Sequence, residues 1–233
     1  MANLQISPSL ICMDLCNVEA EVRSLEAIGC QMLHVDVIDG RFSPDMPLGI
    51  NMIRQLREKT GMVLDAHLMA KENPPYVDML LEAGVDRLCF HPEFEPRPNI
   101  LLRKIKAAGC KAGIAVSPEM PLSALEPMLS LSDFVLVMRI DAGYAHLPGQ
   151  GVYPHVNEKI AALSSYCTSR SLNMEIEVDG RVGFDDIDAL ADLGVHTFVS
   201  GTKGVFYPQN SRAENWNRLQ SIIERWESTH EHI

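Results

Sequence analysis

Two histidines and two aspartates stand where short apolar segments end in this chain of 233 residues. They are His34 and Asp36 in LHVDVIDG, His67 in LDAHLM, and Asp179 in MEIEVDG. Each segment has the composition of a buried β-strand and is followed by helix-like sequence. If the three strands are parallel neighbours, their C-terminal ends bring two imidazoles and two carboxylates to one face of a sheet. Such a set can hold one divalent metal ion, and two aspartates on separate strands can move a proton from one face of a carbon atom to the other.

Apolar, β-branched segments alternate with amphipathic segments along the whole chain. The strand-like segments are 5–11, 31–38, 62–68, 85–91, 110–116, 131–140, 173–179 and 195–201. The helix-like segments are 17–29, 47–59, 74–83, 97–108, 121–129, 154–171, 183–193 and 210–227. Helix starts are marked by Asn73-Pro74-Pro75 and the Ser211 region, and helix ends by Gly29, Gly84, Gly109 and Gly194. Eight strand–helix units predict a (β/α)8 TIM barrel, and with no linker-like tract we expect one domain over residues 1–233.

Composition limits the partners that this barrel can have. The formal net charge of −11 disfavours nucleic acid or an anionic membrane surface as partner, because most of the protein surface would repel either one. An anionic substrate must then be bound by local groups. No leader-like start or long apolar stretch is present, which predicts a cytoplasmic protein. The six cysteines form no CxxC pair and are expected to be reduced thiols.

In such barrels the C-terminal ends of the strands face the active site. All four candidate residues fall at these ends. A purely structural hydrogen-bonded network is the alternative, but buried charge is costly without a metal ion or a substrate role. For His91 and His196, by contrast, we expect hydrogen-bonded core residues.

Several segments in order resemble the ribulose-phosphate 3-epimerase family, and within it the D-allulose-6-phosphate 3-epimerase branch. These segments are ISPSLICMDL, HVDVIDGRFSPDMPLG, DAHLM, HPE, FVLVMRIDAG, EIEVDGR and VSGTKGVF. Together they span nearly the whole chain. Each segment alone is a weak signal, but the combination of HxDxxDG, HLM and VDG is specific.

The resemblance implies a mechanism for the strand ends. It makes His34, Asp36, His67 and Asp179 the ligands of one divalent metal ion, with Zn²⁺, Fe²⁺, Mn²⁺ or Co²⁺ suited to mixed nitrogen and oxygen ligation. The metal would polarise the C2 ketone of a keto sugar and acidify the C3 proton. Asp36 and Asp179 would also be the acid/base pair that removes this proton from one face and returns one to the other.

Further substrate contacts follow from the same resemblance. Ser9 matches a serine that touches the substrate near the metal ion. Met69 and Met138 match methionines that pack over the reaction intermediate, although each taken singly can equally be ordinary core filler. Ile38 stands where the family usually has a third methionine, so the site should stay apolar there with a changed shape.

The phosphate-binding loops depart from the family pattern. Backbone N–H groups around Gly143, Gly180, Gly201 and Thr202 are expected to hold the phosphate. However, the loop 141–151 is longer than usual, Arg181 replaces a small residue, and Lys203 follows the Gly-Thr pair.

Two interpretations of these changes compete. Arg181, Lys203 and His146 can bind an anionic group by side-chain charge, or their bulk can fill the pocket so that the substrate is shorter or unphosphorylated. Orientation of these side chains towards solvent is a third alternative. In a chain of this negative charge, two added cations at these loops favour an anionic substrate. Asp141 nearby is expected to be structural.

These observations predict a metal-dependent isomerase that inverts C3 of a phosphorylated keto sugar, of the D-allulose 6-phosphate or D-ribulose 5-phosphate type, with the hexulose ahead. The alternatives are an epimerase or isomerase of a shorter or unphosphorylated keto sugar or sugar acid, and a non-catalytic barrel that binds a sugar phosphate. The only partners expected are this small molecule and further copies of the chain in a homo-oligomer. Trp216 and Trp226 in the last helix can either cover the barrel or contact another subunit.

Overall fold

The computed structural model describes residues 4–145 and 148–230, which build an eight-stranded parallel sheet. The strands are β1 Gln5–Pro8, β2 Met32–Ile38, β3 Val63–Met69, β4 Arg87–Phe90, β5 Lys111–Val116, β6 Phe134–Met138, β7 Glu175–Asp179 and β8 Thr197–Ser200. They pair in the order β1-β8-β7-β6-β5-β4-β3-β2. A parallel bridge between Ser9 and His34 joins β1 to β2 and closes the ring. The predicted (β/α)8 TIM barrel is confirmed.

Helices follow the strands around the outside of the barrel. They are α1 Val18–Ala27, α2 Ile50–Lys59, α3 Asn73–Glu82, α4 Pro98–Ala107, α5 Glu126–Leu129, α6 Val156–Ser169, α7 Ile187–Asp192 and α8 Arg212–His230. The glycines expected to end helices, Gly29, Gly84, Gly109 and Gly194, all have positive φ. None of the helices described is both long enough and apolar enough for a membrane span.

Two predicted helices differ most from the structure. The segment 121–129 divides into a 3-10 turn at Leu122–Ala124 and the one-turn helix α5. Pro127 explains this division, because a proline has no N–H to bond to the preceding turn and its ring crowds the carbonyl four residues earlier. The segment 183–193 becomes helical only at Ile187, since Asp186 accepts a hydrogen bond from the N–H of Gly183 at 2.9 Å and holds the preceding residues as a loop.

Side chains alternate between two cores because successive residues of a strand point to opposite faces. One core lies between the strands and the helices. The other fills the barrel and is built from Ile38, Met69, Cys89, Ala115, Phe134, Leu136, Met138, Ile140, Ala142 and Val199. Phe134 fits there because Gly113 on β5 has no side chain, and a Cβ at Gly113 would lie 2.5 Å from the ring.

Candidate active site

Three strands each direct two polar residues, spaced by two, into the barrel. The pairs are His34 and Asp36 on β2, Asp65 and His67 on β3, and Glu177 and Asp179 on β7. The later member of each pair, together with His34, forms the strand-end cluster, defined as His34, Asp36, His67 and Asp179. Below them lies the buried charge layer, defined as Asp65, Arg87 and Glu177. The strand register sets Asp36 beside His67 and so assembles the upper layer.

The strand-end cluster has the geometry of a metal site. One donor atom from each of its four residues lies within 4.8 Å of the other three. His34 Nε2 is 3.4 Å from Asp36 Oδ1, and His67 Nδ1 is 3.3 Å from the same oxygen. His34 Nε2 is buried and has no hydrogen-bond partner in the described residues. An orphaned imidazole nitrogen among two carboxylates and a second imidazole fits a divalent metal ion.

The two carboxylates of the cluster have opposite electrostatic environments. Burial would raise the pKa of Asp36, but the neighbouring imidazole of His34, followed by that of His67, outweighs burial and holds this pKa below its ordinary value. Burial, followed by the negative charge of Asp36, raises the pKa of Asp179. Ser9 Oγ donates to Asp36 Oδ2 at 3.1 Å. A cation bound between the carboxylates would favour the charged form of both.

The buried charge layer supports His34 from below. Arg87 Nε donates to Asp65 Oδ1 at 3.0 Å, and Arg87 Nη2 donates to Glu177 Oε2 at 2.8 Å. Asp65 Oδ2 lies 3.0 Å from His34 Nδ1 and can accept its proton, which leaves the lone pair on Nε2 facing the cluster. Burial, with the charge of Asp65, raises the pKa of Glu177 to about 7.

The residues of this layer are not among those predicted from the sequence to belong to the site. The signal for this layer is the spacing of two on each strand, since Asp65 precedes His67 and Glu177 precedes Asp179 by two residues. Both histidines predicted to be hydrogen-bonded core residues have hydrogen-bond partners, but His196 is half-buried and His91 alone lies in the core. His196 Nδ1 accepts from the N–H of Ile176 at 3.1 Å, and fully buried His91 has a partner that we did not anticipate, His67.

A cavity of about 420 Å³ opens above the cluster. Of the residues predicted to act on or bind the substrate, those that line it are Ser9, Asp36, Met69, Met138, Gly143, Asp179, Gly180, Arg181, Gly201, Thr202 and Lys203. His34 and His67 are not part of this lining. Ile38 is part of it, so the wall is apolar where the family usually has methionine. The size is ordinary for a small-molecule site.

Arg181 and Lys203 lie at the rim where a phosphate is expected. Arg181 has φ +56°, a left-handed conformation that is uncommon for a residue with a side chain. Its Nη2 donates to the carbonyl of Ala145 at 3.2 Å and so links the loop after β7 to the loop after β6. Lys203 is exposed. His146, the third predicted cation, lies outside the described residues.

Asp141 anchors the loop after β6. It accepts hydrogen bonds from Gln150 Nε2 at 2.7 Å and from the hydroxyl of Tyr153 at 3.1 Å. These contacts explain how the longer loop is held, and they agree with the structural role expected for Asp141.

Comparisons with known proteins are consistent with this site. The ribulose-phosphate 3-epimerase family model matches residues 5–206. A ribulose-phosphate 3-epimerase of Treponema pallidum is 34% identical over 197 residues, covering 84% of this chain and 89% of that protein. The Synechocystis protein of the same name is 33% identical over 202 residues, 86% of each chain.

Two solved structures share the fold at low sequence identity. The 3-keto-L-gulonate-6-phosphate decarboxylase of Vibrio cholerae superposes with a TM-score of 0.73 at 15% identity, covering 96% of this chain and 99% of the other. The 3-hexulose-6-phosphate synthase of Salmonella typhimurium gives 0.66 at 13% identity, covering 96% and 100%. At such identities the superposition shows a shared barrel fold and nothing about function.

Proposed function

The chain belongs to the ribulose-phosphate 3-epimerase family, and we propose that it is a metal-dependent epimerase that inverts C3 of a phosphorylated keto sugar. One observation carries this proposal. Asp36 on β2 and Asp179 on β7 both reach the floor of one cavity, beside two imidazoles. In the closed barrel β1 and β8 separate β2 from β7, so the carboxylates approach the cavity from different directions. Proton removal on one face and return on the other needs this arrangement.

Each residue of the site has a distinct role in this reaction. Asp36 and Asp179 exchange the C3 proton, while the hydroxyl of Ser9 orients Asp36 through its hydrogen bond. Met69 and Met138 keep the reacting carbon in an apolar environment that excludes water. A divalent ion such as Zn²⁺, Fe²⁺, Mn²⁺ or Co²⁺, held by the strand-end cluster, would supply charge stabilisation as the C3 proton leaves.

The far end of the cavity is where the phosphate would bind. Gly143, Gly180, Gly201 and Thr202 offer backbone N–H groups, and Arg181 and Lys203 add positive charge to a protein of net charge −11. We place D-allulose 6-phosphate ahead of D-ribulose 5-phosphate on the motif resemblance, although the named relatives are ribulose-phosphate epimerases. The cytoplasmic location and the homo-oligomer stay predictions of the sequence.

One observation favours a second candidate. The guanidinium of Arg181 spans from one phosphate loop to the carbonyl of Ala145 in another, at a position where the family has a small residue. An arginine in the lining leaves less room for a phosphate than a small residue would, which suits a shorter or unphosphorylated keto sugar or sugar acid. A non-catalytic sugar-phosphate-binding barrel is less favoured, because all four residues of the strand-end cluster are retained.

The test is a panel of keto sugars, phosphorylated and free, incubated in D₂O with metal-loaded protein and followed by NMR for deuterium at C3. We expect epimerisation with deuterium incorporation for a phosphorylated keto sugar. The variants Asp36→Asn and Asp179→Asn should each lose net epimerisation, because one face of the carbon then lacks its proton carrier. Metal content is measured in parallel, so that loss of the ion is not mistaken for loss of a base. Full epimerisation by either metal-loaded variant would refute the two-base assignment.

A further inference from the structure

We propose that His91 and Glu93 are positioning residues for His67, holding its proton on Nε2 so that Nδ1 is free to bind a metal ion. The inference rests on the metal binding proposed above for the strand-end cluster, and it does not depend on which sugar is the substrate.

A hydrogen-bonded chain leads from the cluster to the loops after β4 and β5. His67 Nδ1 lies 3.3 Å from Asp36 Oδ1, and His67 Nε2 lies 2.9 Å from His91 Nε2. On its other side, His91 Nδ1 lies 3.1 Å from Glu93 Oε1. Ser117 Oγ donates to the same oxygen of Glu93 at 2.6 Å. Every ring nitrogen of the two histidines therefore has a neighbour at hydrogen-bond distance.

The partners decide where the protons are. One proton must lie between the two Nε2 atoms, because two lone pairs at 2.9 Å repel each other. If His91 supplied it, a neutral His91 would turn a bare Nδ1 towards the carboxylate of Glu93, setting two acceptors 3.1 Å apart. If His67 supplies it, His91 Nδ1–H donates to Glu93, and His67 Nδ1 and Asp36 Oδ1 are left as two acceptors 3.3 Å apart, a pair that a bound cation would satisfy. The second arrangement leaves the lone pair of His67 Nδ1 facing the strand-end cluster.

Burial makes this arrangement rigid. His67 and His91 have no exposed surface, so water cannot replace either partner of the Nε2 contact. The ring of Phe42 packs against His91 with a centroid separation of 4.8 Å and restricts its rotation. Glu93, whose side chain is 25% exposed, is tied down by Ser117. A buried acceptor lost from such a chain leaves an unsatisfied N–H on a ligand ring.

A buried partner also fixes the position of the ring proton in His34, but at the other ring nitrogen. Its Nδ1–H can donate to Asp65, which frees Nε2 for the cluster. The two imidazoles thus present different nitrogens, each selected by its own buried partner. His91, held by Glu93, therefore orients His67 in the way that the carboxylate of Asp65 orients His34.

The test compares metal affinity in variants of His91, measured without substrate by competition with a chromophoric chelator for Zn²⁺ and Co²⁺. His91→Leu removes the acceptor at similar volume, and we expect affinity to fall about 10- to 100-fold, as for other partners of metal-ligating histidines. His91→Gln can turn its oxygen to His67 and its NH₂ to Glu93, so its affinity should stay within about threefold of the parent. Glu93→Ala should give an intermediate loss, because His91 remains but is no longer oriented.

Two controls separate positioning from mere structural support. His196→Leu removes a histidine whose ring, within the described part of the chain, bonds the backbone N–H of Ile176 on β7, and it should leave metal affinity unchanged. The visible spectrum of the Co²⁺-loaded protein should change in His91→Leu and keep the parent form in His91→Gln. Parent-like affinity in both His91→Leu and Glu93→Ala would overturn the proposal, and so would equal losses in the leucine and glutamine variants of His91. A parent that binds metal yet epimerises no sugar would refute the proposed reaction and leave this inference standing, whereas a parent that binds no metal would refute both.

Discussion

Arg181 stands in a phosphate loop where, by the motif resemblance, a small residue is usual. It adopts φ +56°, and its guanidinium reaches the carbonyl of Ala145. A side chain in this backbone region is kept against a conformational cost of about 1 kcal/mol, so the guanidinium is expected to have a function. Binding of an anionic substrate end is the function that the charge of the chain favours.

Replacing Arg181 or Lys203 with serine tests this function. Each change removes a charge-assisted contact worth about 1.5–3 kcal/mol, so kcat/KM for a phosphorylated keto sugar should fall roughly tenfold to a hundredfold. With the unphosphorylated sugar, both variants should match the parent. Steady-state kinetics on the two substrates check the difference, with serine in place of exposed Arg103 on α4 as control. If Arg181→Ser instead raised activity on sugar phosphates, the arginine would be blocking the pocket and the natural substrate would be smaller.

For individual residues, the sequence predicts which side chains come together at the strand ends, but it does not predict all of the buried side chains that support them. The four members of the strand-end cluster could be identified because each lies near the end of an apolar segment. In a (β/α)8 barrel the C-terminal ends of all strands lie at the same face. For the buried charge layer, the spacing of two marks Asp65 and Glu177 as inward-facing, but their shared contact with Arg87 depends on how the strands meet in the barrel. Arg87 on β4 reaches Glu177 on β7, and nothing local in either strand predicts this contact.

At the scale of secondary-structure elements, the loops after β2 and β6 approach closely at Ser43 and Gly143. Gly143 has φ +76°, and a Cβ there would lie 2.6 Å from Ser43 Oγ and 2.9 Å from Ser43 Cβ. Gly143 also lines the cavity, so this contact sets the position of one phosphate loop against the loop after β2.

Substitution of this glycine should displace the loop. In Gly143→Ala, the strained backbone and the contact with Ser43 act together, and we expect kcat/KM to fall by about tenfold or more. Ser43→Gly in the same chain removes the steric part but not the strain, so it should restore part of the activity. Kinetics of the two single variants and the double variant measure the coupling. Additive losses would show that the two loops do not act through this contact.

Helix boundaries show what local sequence can specify. Glycine at a positive φ ends α1, α3 and α4 as expected, because this signal needs no tertiary information. The segment 183–193 differs, since the hydrogen bond from the N–H of Gly183 to Asp186 keeps its first residues out of the helix. Asp186 in turn pairs with Arg139, which follows β6, at 2.7 Å. That pairing depends on the closed barrel, so the hydrophobic periodicity of the segment does not predict it.

Over the whole molecule, the barrel interior is divided into an apolar part and a charged part. Apolar side chains from β5, β6 and β8, among them Phe134 and Leu136, fill one region. The buried charge layer fills the other, below the strand-end cluster. Without a cation, the upper layer holds two carboxylates beside each other, a repulsion that the fold must offset elsewhere. A divalent ion would remove this repulsion only in the folded chain, where all four ligands converge.

Metal binding should therefore stabilise the folded protein. An ion that binds the native state alone adds about 4 kcal/mol when its free concentration is 1,000 times its dissociation constant. For a chain of this size, that corresponds to a rise in Tm of very roughly 10 °C. Thermal unfolding followed by circular dichroism, with and without a chelator, measures the shift. In His67→Ala the metal-free Tm should itself fall, because a fully buried side chain is lost, and the further rise on adding metal should largely disappear, because the cluster lacks a ligand. An equal shift in this variant would place the stabilising ion somewhere other than the strand-end cluster.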